Sequence, residues 1–270
     1  MSDTTTLPDT TLVDRIICAA AQAWVNDGEV LATGIGIVPR LAASLCMATL
    51  NRDLMMTDSE AWIVQEPVPI GPRGGYQVQR ESHMGFARIF DNVWGGKRHA
   101  MVGPTQVDRY GQANISMIGT DHRRPKSMML GVRGFPGNSI SHANSFFVPS
   151  HNTRVFKDGE CDVVCSIGYN PARLAKGYSL DEVDIRLVIT DLCVMDFGGP
   201  GHQIRLRSLH PGITVDQVQQ NTGFPVFVPG DEITTPAPTE EQLEIIRRMD
   251  PHNLRARELK DNPPGDRTAR

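Results

Sequence analysis

No stretch limits the fold of this chain more than residues 31–62. Leu31-Ala32-Thr33 is a short apolar run that meets Gly34-Ile35-Gly36. Residues 38–50 then carry Leu41, Leu45, Cys46 and Leu50 at helical spacing. A second apolar run, 53–57, ends in Asp58-Ser59-Glu60 before Ala61 and Trp62. This order spells a strand–loop–helix–strand unit. Gly34 and Gly36 stand where the backbone needs either a positive φ or room for a close approach. Pro39 suits a helix's first turn, where its missing N–H has no partner to lose. The dinucleotide pattern needs a third glycine, and Arg40 departs from it, so this is not a nicotinamide site. Ligands of open parallel sheets gather beyond the carboxyl ends of the strands. Asp58, Ser59 and Glu60 are therefore the first candidates for chemistry, although the same residue types also cap helices and turns.

A chain of 270 residues can bury a sizeable core, as one large domain or two small ones. Its net charge of -4 argues against nucleic acid as a partner. The first eleven residues are polar and acidic, unlike a signal peptide, and no apolar run reaches the length of a membrane span. Five cysteines, an odd count, fit reduced thiols in a cytoplasmic protein. Cys161 and Cys165 lack a matching His/Cys cluster, so no metal is expected.

Residues 12–25 form an amphipathic helix capped by Thr10 or Thr11 and stopped at Gly28. Residues 65–76 are rich in Pro and Gly and form a long loop, of a length usually functional or mobile. Residues 98–102 form a buried strand, 103–111 a turn-rich connection and 115–119 another strand. His122-Arg123-Arg124-Pro125-Lys126 reads either as a solvated loop or as a contact for phosphate groups. Gly131-Val132-Arg133-Gly134-Phe135-Pro136-Gly137-Asn138 forms a second glycine-rich loop, either a plain tight turn or a nest of N–H groups for a negative charge. Residues 162–166, 187–190, 193–197 and 204–209 are strands. Thr214 and Thr239 open capped helices, and the stretch from Pro251 is charged. The physical reading is a single α/β domain, 1–251, and a disordered tail, 252–270.

Several of these pieces, in this order, resemble the β subunit of class I coenzyme A transferases, of which glutaconate CoA-transferase is the nearest well-known member. They are Thr33-Gly34-Ile35-Gly36, the helix and strand to Asp58-Ser59, and Gln106-Val107-Asp108-Arg109-Tyr110-Gly111-Gln112-Ala113-Asn114. The segment from Ile118-Gly119 to Pro125-Lys126 follows, then Gly131 to Gly137, Val188-Ile189-Thr190-Asp191 and Asn221-Thr222-Gly223-Phe224. The resemblance implies an open mixed, mostly parallel sheet with helices on both faces, and pairing with an α subunit, commonly as an α2β2 heterotetramer.

Two departures qualify it. The transferases use a glutamate after the second strand to attack the acyl-CoA thioester. Counted without gaps from Gly34, that position holds Asp58, whose carboxylate falls more than ~1 Å short of the reacting carbon; Glu60 offers a shifted nucleophile. The family's oxyanion loop reads Gly-x-Gly-Gly, where this chain has Gly131-Val132-Arg133-Gly134. The guanidinium suits an extra substrate carboxylate or an enolate. Both departures resemble one branch, the β subunits of steroid ring-cleaving hydrolases of steroid-degrading actinobacteria. That resemblance implies retro-Claisen-like opening of the last steroid ring of a cyclic β-keto acyl-CoA, with the catalytic base, a glutamate, on the α subunit. Coenzyme A is then part of the substrate and no separate cofactor is expected.

Arg133 would bind the anion, supported by backbone N–H groups of Gly131, Val132, Gly134 and Gly137; its other reading is a salt bridge at the subunit interface. Asp58, Ser59 and Glu60 would line the pocket, with Asn138 and Gln106 beside them. The alternatives are a true CoA transferase using Glu60 or Asp58, and a non-catalytic scaffold subunit.

Overall fold

In the computed structural model, which describes residues 10–58, 61–230 and 233–259, the first helix starts at a reciprocal cap. Thr11 precedes α1 (Leu12–Ala21); its hydroxyl accepts the Asp14 N–H, and the Asp14 carboxylate accepts the Thr11 N–H and O–H at 3.1 and 2.8 Å. A 3-10 turn over Gln22–Trp24 continues the helix. Trp24 is fully buried, its Nε1 donating to the His99 carbonyl at 3.1 Å.

The chain divides into two compact units, Met1–Val102 with Thr235–Arg270, and Gly103–Thr234. The first unit continues through β1 (Leu31–Gly34), α2 (Ile37–Thr49), β2 (Thr57–Asp58), β3 (Trp62–Val64), β4 (Arg80–His83), α3 (Gly85–Trp94) and β5 (Arg98–Val102). β1 and β5 pair in parallel, Leu31 opposite Arg98 through Gly34 opposite Met101. Met55 adds a parallel bridge to Leu31. Both roles open to the glycines are filled. A Cβ on Gly34 would run into the backbone of Pro39 and Arg40, so helix and strand pack that closely only over a bare backbone. Gly36 caps α2 with φ 107°. The apolar stripe is buried at Leu41, Leu45 and Cys46 and ends at Leu50, which is 37% exposed. The second run enters the sheet differently from the expected full strand: only Met55 bridges β1, and β2, β3 and β4 form a small antiparallel sheet of their own.

The second unit holds the hairpin of β6 (Gln106–Val107) and β7 (Ala113–Asn114), and that of β8 (Met117–Ile118) and β9 (Ser127–Met128). α4 (Phe135–Ser141), β10 (Ala143–Val148), β11 (Ile185–Thr190), β12 (Cys193–Asp196), β13 (Arg205–Leu209) and α5 (Val215–Gln220) follow. β10 and β11 run parallel, and β11, β12 and β13 antiparallel. The strand expected at 162–166 does not form: there the Asp162 carboxylate takes the Gly119 N–H at 2.8 Å and Lys157 Nζ at 2.6 Å, and only Ser166 bridges Ala113. The basic segment 122–126 lies at the tip of the β8–β9 hairpin, its four charged or titratable side chains exposed.

α6 (Glu240–Met249), capped by Thr239, packs on α2 in the first unit. Residues 252–259, read from sequence as the start of a tail, carry a 3-10 turn over Leu254–Arg257. Arg255 is 8% exposed; its Nε donates to Asp14 at 2.7 Å and its Nη1 to Asp250 at 3.1 Å. Asp14 thus caps α1 and anchors the C-terminal segment. Arg255→Met leaves two buried carboxylates without their cation, and removing one partner of a buried ion pair costs about 3–5 kcal/mol. The expected outcome is a fall of that order in unfolding free energy from urea titration, whereas a surface pair would lose under about 1 kcal/mol.

Candidate functional site

Asp58 ends β2 with its side chain only 3% exposed. Both carboxylate oxygens are held by Arg73: Nη2 meets Oδ1 at 2.7 Å and Nη1 meets Oδ2 at 3.0 Å. This fork-to-fork pairing is the strong, geometrically fixed form of the ion pair. Arg73 arrives from the Pro/Gly loop, which is pinned. Its own Nε donates to the Pro69 carbonyl at 3.3 Å, the Ile70 N–H reaches Met249 at 2.8 Å, and His252 Nε2 donates to Pro72 at 2.7 Å. Arg40, on α2, donates from Nη1 to the Thr57 carbonyl at 2.8 Å. Burial pushes the Arg40 pKa down, Asp58 opposes that fall, and Arg73 adds to it. The hydrogen bond to Asp58 raises the Arg73 pKa. A carboxylate whose oxygens both accept charge-assisted bonds is an electrostatic fixture, poorly placed to donate a lone pair to a carbonyl carbon. Ser59 and Glu60 lie outside the described residues.

The second glycine-rich stretch lies in the other unit. It is a loop only as far as Gly134, the cap of α4; Pro136 sits in that helix's first turn, and Gly137 and Asn138 are helical. Gly131 has φ 83° and Arg133 φ 48°, a left-handed conformation that costs a non-glycine residue about 1–3 kcal/mol. Arg133 is exposed, its Nε donating to the Leu130 carbonyl at 3.3 Å. Among the described residues its Nη groups meet no acceptor. The Phe135 N–H bonds Val132 at 3.0 Å and the Asn138 N–H bonds Gly134 at 2.9 Å, so those two donors serve the turn itself. Asn138 also offers its carbonyl to Asn144 Nδ2 at 3.2 Å.

Gln106 is buried in the β6–β7 hairpin, where its Oε1 accepts Asn114 Nδ2 at 2.7 Å and the Asp162 N–H at 2.9 Å. The fold thus gathers Gly131, Val132, Arg133 and Gly134 in one exposed loop, with Gly137 and Asn138 beyond it. It places Gln106 in an internal network and Asp58 in the first unit. Sequence reasoning passed over Arg73 and the role of Arg40. The available signal was that a carboxylate at the end of a buried strand needs a cation, and Arg73 is the arginine in the loop that follows.

Beside α4 lies a cavity of about 310 Å³, walled by Pro136, Ile140, Leu174, Tyr178 and Val183. Its apolar lining suits the hydrocarbon part of a ligand. Cys161 is buried and its thiol is pushed up to about 12 by burial, which leaves it inert as a nucleophile.

The chain is 38% identical, over 261 residues, to the cholesterol ring-cleaving hydrolase IpdB subunit of Rhodococcus jostii (strain RHA1), a match that covers 94% of this chain and 98% of that subunit. The chain belongs to the family of these ring-cleaving hydrolase subunits. The crystal structure of Rhodococcus jostii RHA1 IpdAB superposes with a TM-score of 0.84 at 37% identity, covering 93% of this chain and 99% of that one. Glutaconate coenzyme A-transferase from Acidaminococcus fermentans shares the fold, with a TM-score of 0.76 at 22% identity over 91% of this chain and 97% of that one. The mixed α/β fold expected from the sequence is the fold of these proteins. No family model matches the chain.

Within the hairpin shared with the transferase motif, Asp108 accepts the Tyr110 and Gln112 N–H groups at 2.9 and 2.8 Å. Burial outweighs these bonds and pushes its pKa up to about 6 from 3.8. The folded chain therefore holds the proton more tightly than the unfolded one. The resulting stabilisation is full below about pH 4 and is lost as pH rises through 6, up to about 3 kcal/mol. Asp108→Asn keeps an acceptor oxygen and removes the titration. Its stability relative to the natural chain should improve by up to that amount between pH 4 and pH 7 in denaturant unfolding; a pH-independent difference contradicts the assignment.

Proposed function

We propose that the chain is the β subunit of a heteromeric hydrolase that opens the last steroid ring of a cyclic β-keto acyl-CoA. One observation carries the reading: Asp58, at the transferases' nucleophile position, is closed off in a bidentate pair with Arg73. A covalent acyl-enzyme route has no support at Asp58, which favours hydrolysis by water. The kinship with ring-cleaving hydrolase subunits along 94% of the chain supports the same conclusion. The α subunit supplies a glutamate base, as the resemblance implies. It takes a proton from water, and the hydroxide adds to the ring ketone. The bond between that carbonyl carbon and the α carbon breaks, its electron pair moving to the α carbon as a thioester enolate, which is then protonated. The former ketone carbon becomes a carboxylate that stays attached through the rest of the opened ring, and the CoA ester stays intact. Arg133 stabilises the enolate or tetrahedral oxyanion, a role for a cation placed where negative charge develops.

Coenzyme A enters as part of the substrate. Cytoplasmic location belongs to the same reading, supported by five buried free thiols. Among the described residues no helix is long and apolar enough to cross a membrane.

The complex reconstituted with the α subunit in oxygen-18 water, with a cyclic β-keto acyl-CoA, should place one labelled oxygen in the new carboxylate and release no free CoA. Arg133→Ala should lower turnover by about 100- to 1000-fold. Transfer of CoA to an added carboxylate would overturn the hydrolase reading. Unchanged turnover and substrate affinity in Arg133→Ala would reduce this subunit to a scaffold.

A further inference from the structure

The aromatic face of α3 has no place in the chemistry above, and the described residues leave it uncovered. Phe86, Phe90 and Trp94 are 73%, 61% and 70% exposed. At about 100° per residue, Ile89, Val93, Phe86, Phe90 and Trp94 occupy one arc about 140° wide. Of the ten residues only Val93, near one end of that arc, is buried.

Local support for this helix is slight: Asn92 Nδ2 meets Met84 Sδ at 3.2 Å and the Met84 N–H bonds the Ala61 carbonyl at 2.9 Å. Thr11, Thr214 and Thr239 give α1, α5 and α6 reciprocal caps, but Met84 offers α3 no side-chain cap, and its first turn has no acid. The Arg88–Asp91 pair is 4.0 Å apart and exposed on both sides, which contributes little. A ten-residue helix is marginal in water without packing. Its apolar face therefore calls for a cover beyond the described residues.

We infer that α3, with the edge strand β4, is the docking surface for the α subunit, and that Phe86, Phe90 and Trp94 insert into an apolar groove on that partner. The inference rests on the heteromeric assembly proposed above. The three rings expose roughly 300–500 Å² in all, at about 150–250 Å² per aromatic side chain. Two such stripes packed against each other in a symmetric pair would fall short of the roughly 800 Å² that each partner contributes to a specific interface. A groove on a different chain can enclose stripe and strand together, the helix-in-groove mode with anchors one turn apart. Every residue of β4 is exposed, and β4 is the open edge of its sheet. The stripe is also convex, whereas small ligands take concave sites. Finally, β4 pairs with β3 and β3 with β2, which ends at Asp58. A partner seated on α3 therefore approaches the small sheet that carries the acid at the transferases' nucleophile position.

A photoreactive phenylalanine analogue, p-benzoylphenylalanine, placed at position 90 keeps an aromatic anchor and reports its neighbour in the assembled complex. The expected product is a covalent adduct with the α subunit. A chain-to-chain adduct would assign the face to a second copy and overturn the proposal, as would no adduct. Phe90→Ser should weaken the complex at least about 30-fold, with Phe90→Leu retaining most of the affinity; equal affinity for all three forms contradicts the docking role. Ring-opening activity measured on the same complex separates the two proposals. An α-subunit adduct without hydrolysis removes the function and leaves the interface, and hydrolysis without the adduct does the reverse.

Discussion

A buried carboxylate cannot stand alone, and the pairing of Asp58 with Arg73 settles more of this structure than any other contact. Charge-assisted and bidentate, it draws the Pro/Gly loop onto the end of β2, where Pro69, Ile70 and Pro72 find further partners. A loop of that composition reads as mobile, yet here it is fastened at both its arginine and its backbone. The same pairing changes what the strand end can do. A carboxylate gripped by two N–H groups has its charge offset and its lone pairs directed. A glutamate would reach further from the same strand; the shorter aspartate stays back against the guanidinium.

If the strand-end acid is silent, the contribution proposed for this chain is a cation, Arg133, in place of a nucleophile. Arg133 sits in a left-handed conformation, in the loop that leads into α4. An arginine held at positive φ is a strained feature of the sort that recurs at functional sites. Its guanidinium is exposed, and the helix that follows its loop carries Pro136 and Ile140, which wall an apolar cavity.

Much of the fold was legible because local rules and tertiary packing agree. Thr11, Thr214 and Thr239 announce their helices through reciprocal caps, and Gly34 and Gly36 announce a close approach and a positive φ. Legibility failed where side chains replace the backbone ladder. Residues 162–166 look like a strand from their apolar pattern, but Asp162 binds the backbone of a hairpin and the side chain of Lys157 instead. β10 is buried throughout, yet Asn144 and Ser145 hide it from any reading based on hydrophobic runs. At the site, the sequence picks out Asp58 and the Arg133 loop as positions. It could not pair Asp58 with Arg73, because the partner lies 15 residues away across a loop of unreadable course. Nor could it see that Gln106 serves an internal network, since a buried glutamine and a ligand-binding one look alike in sequence.

The most direct test is covalent. The assembled complex is mixed with its cyclic acyl-CoA, quenched during turnover with borohydride, and this chain is digested and weighed peptide by peptide. Borohydride reduces an enzyme–CoA thioester to an alcohol. The account predicts that the peptide containing Asp58 and Glu60 keeps both carboxyl groups unchanged in mass while ring-opened product accumulates. A reduced carboxyl at either position would contradict it.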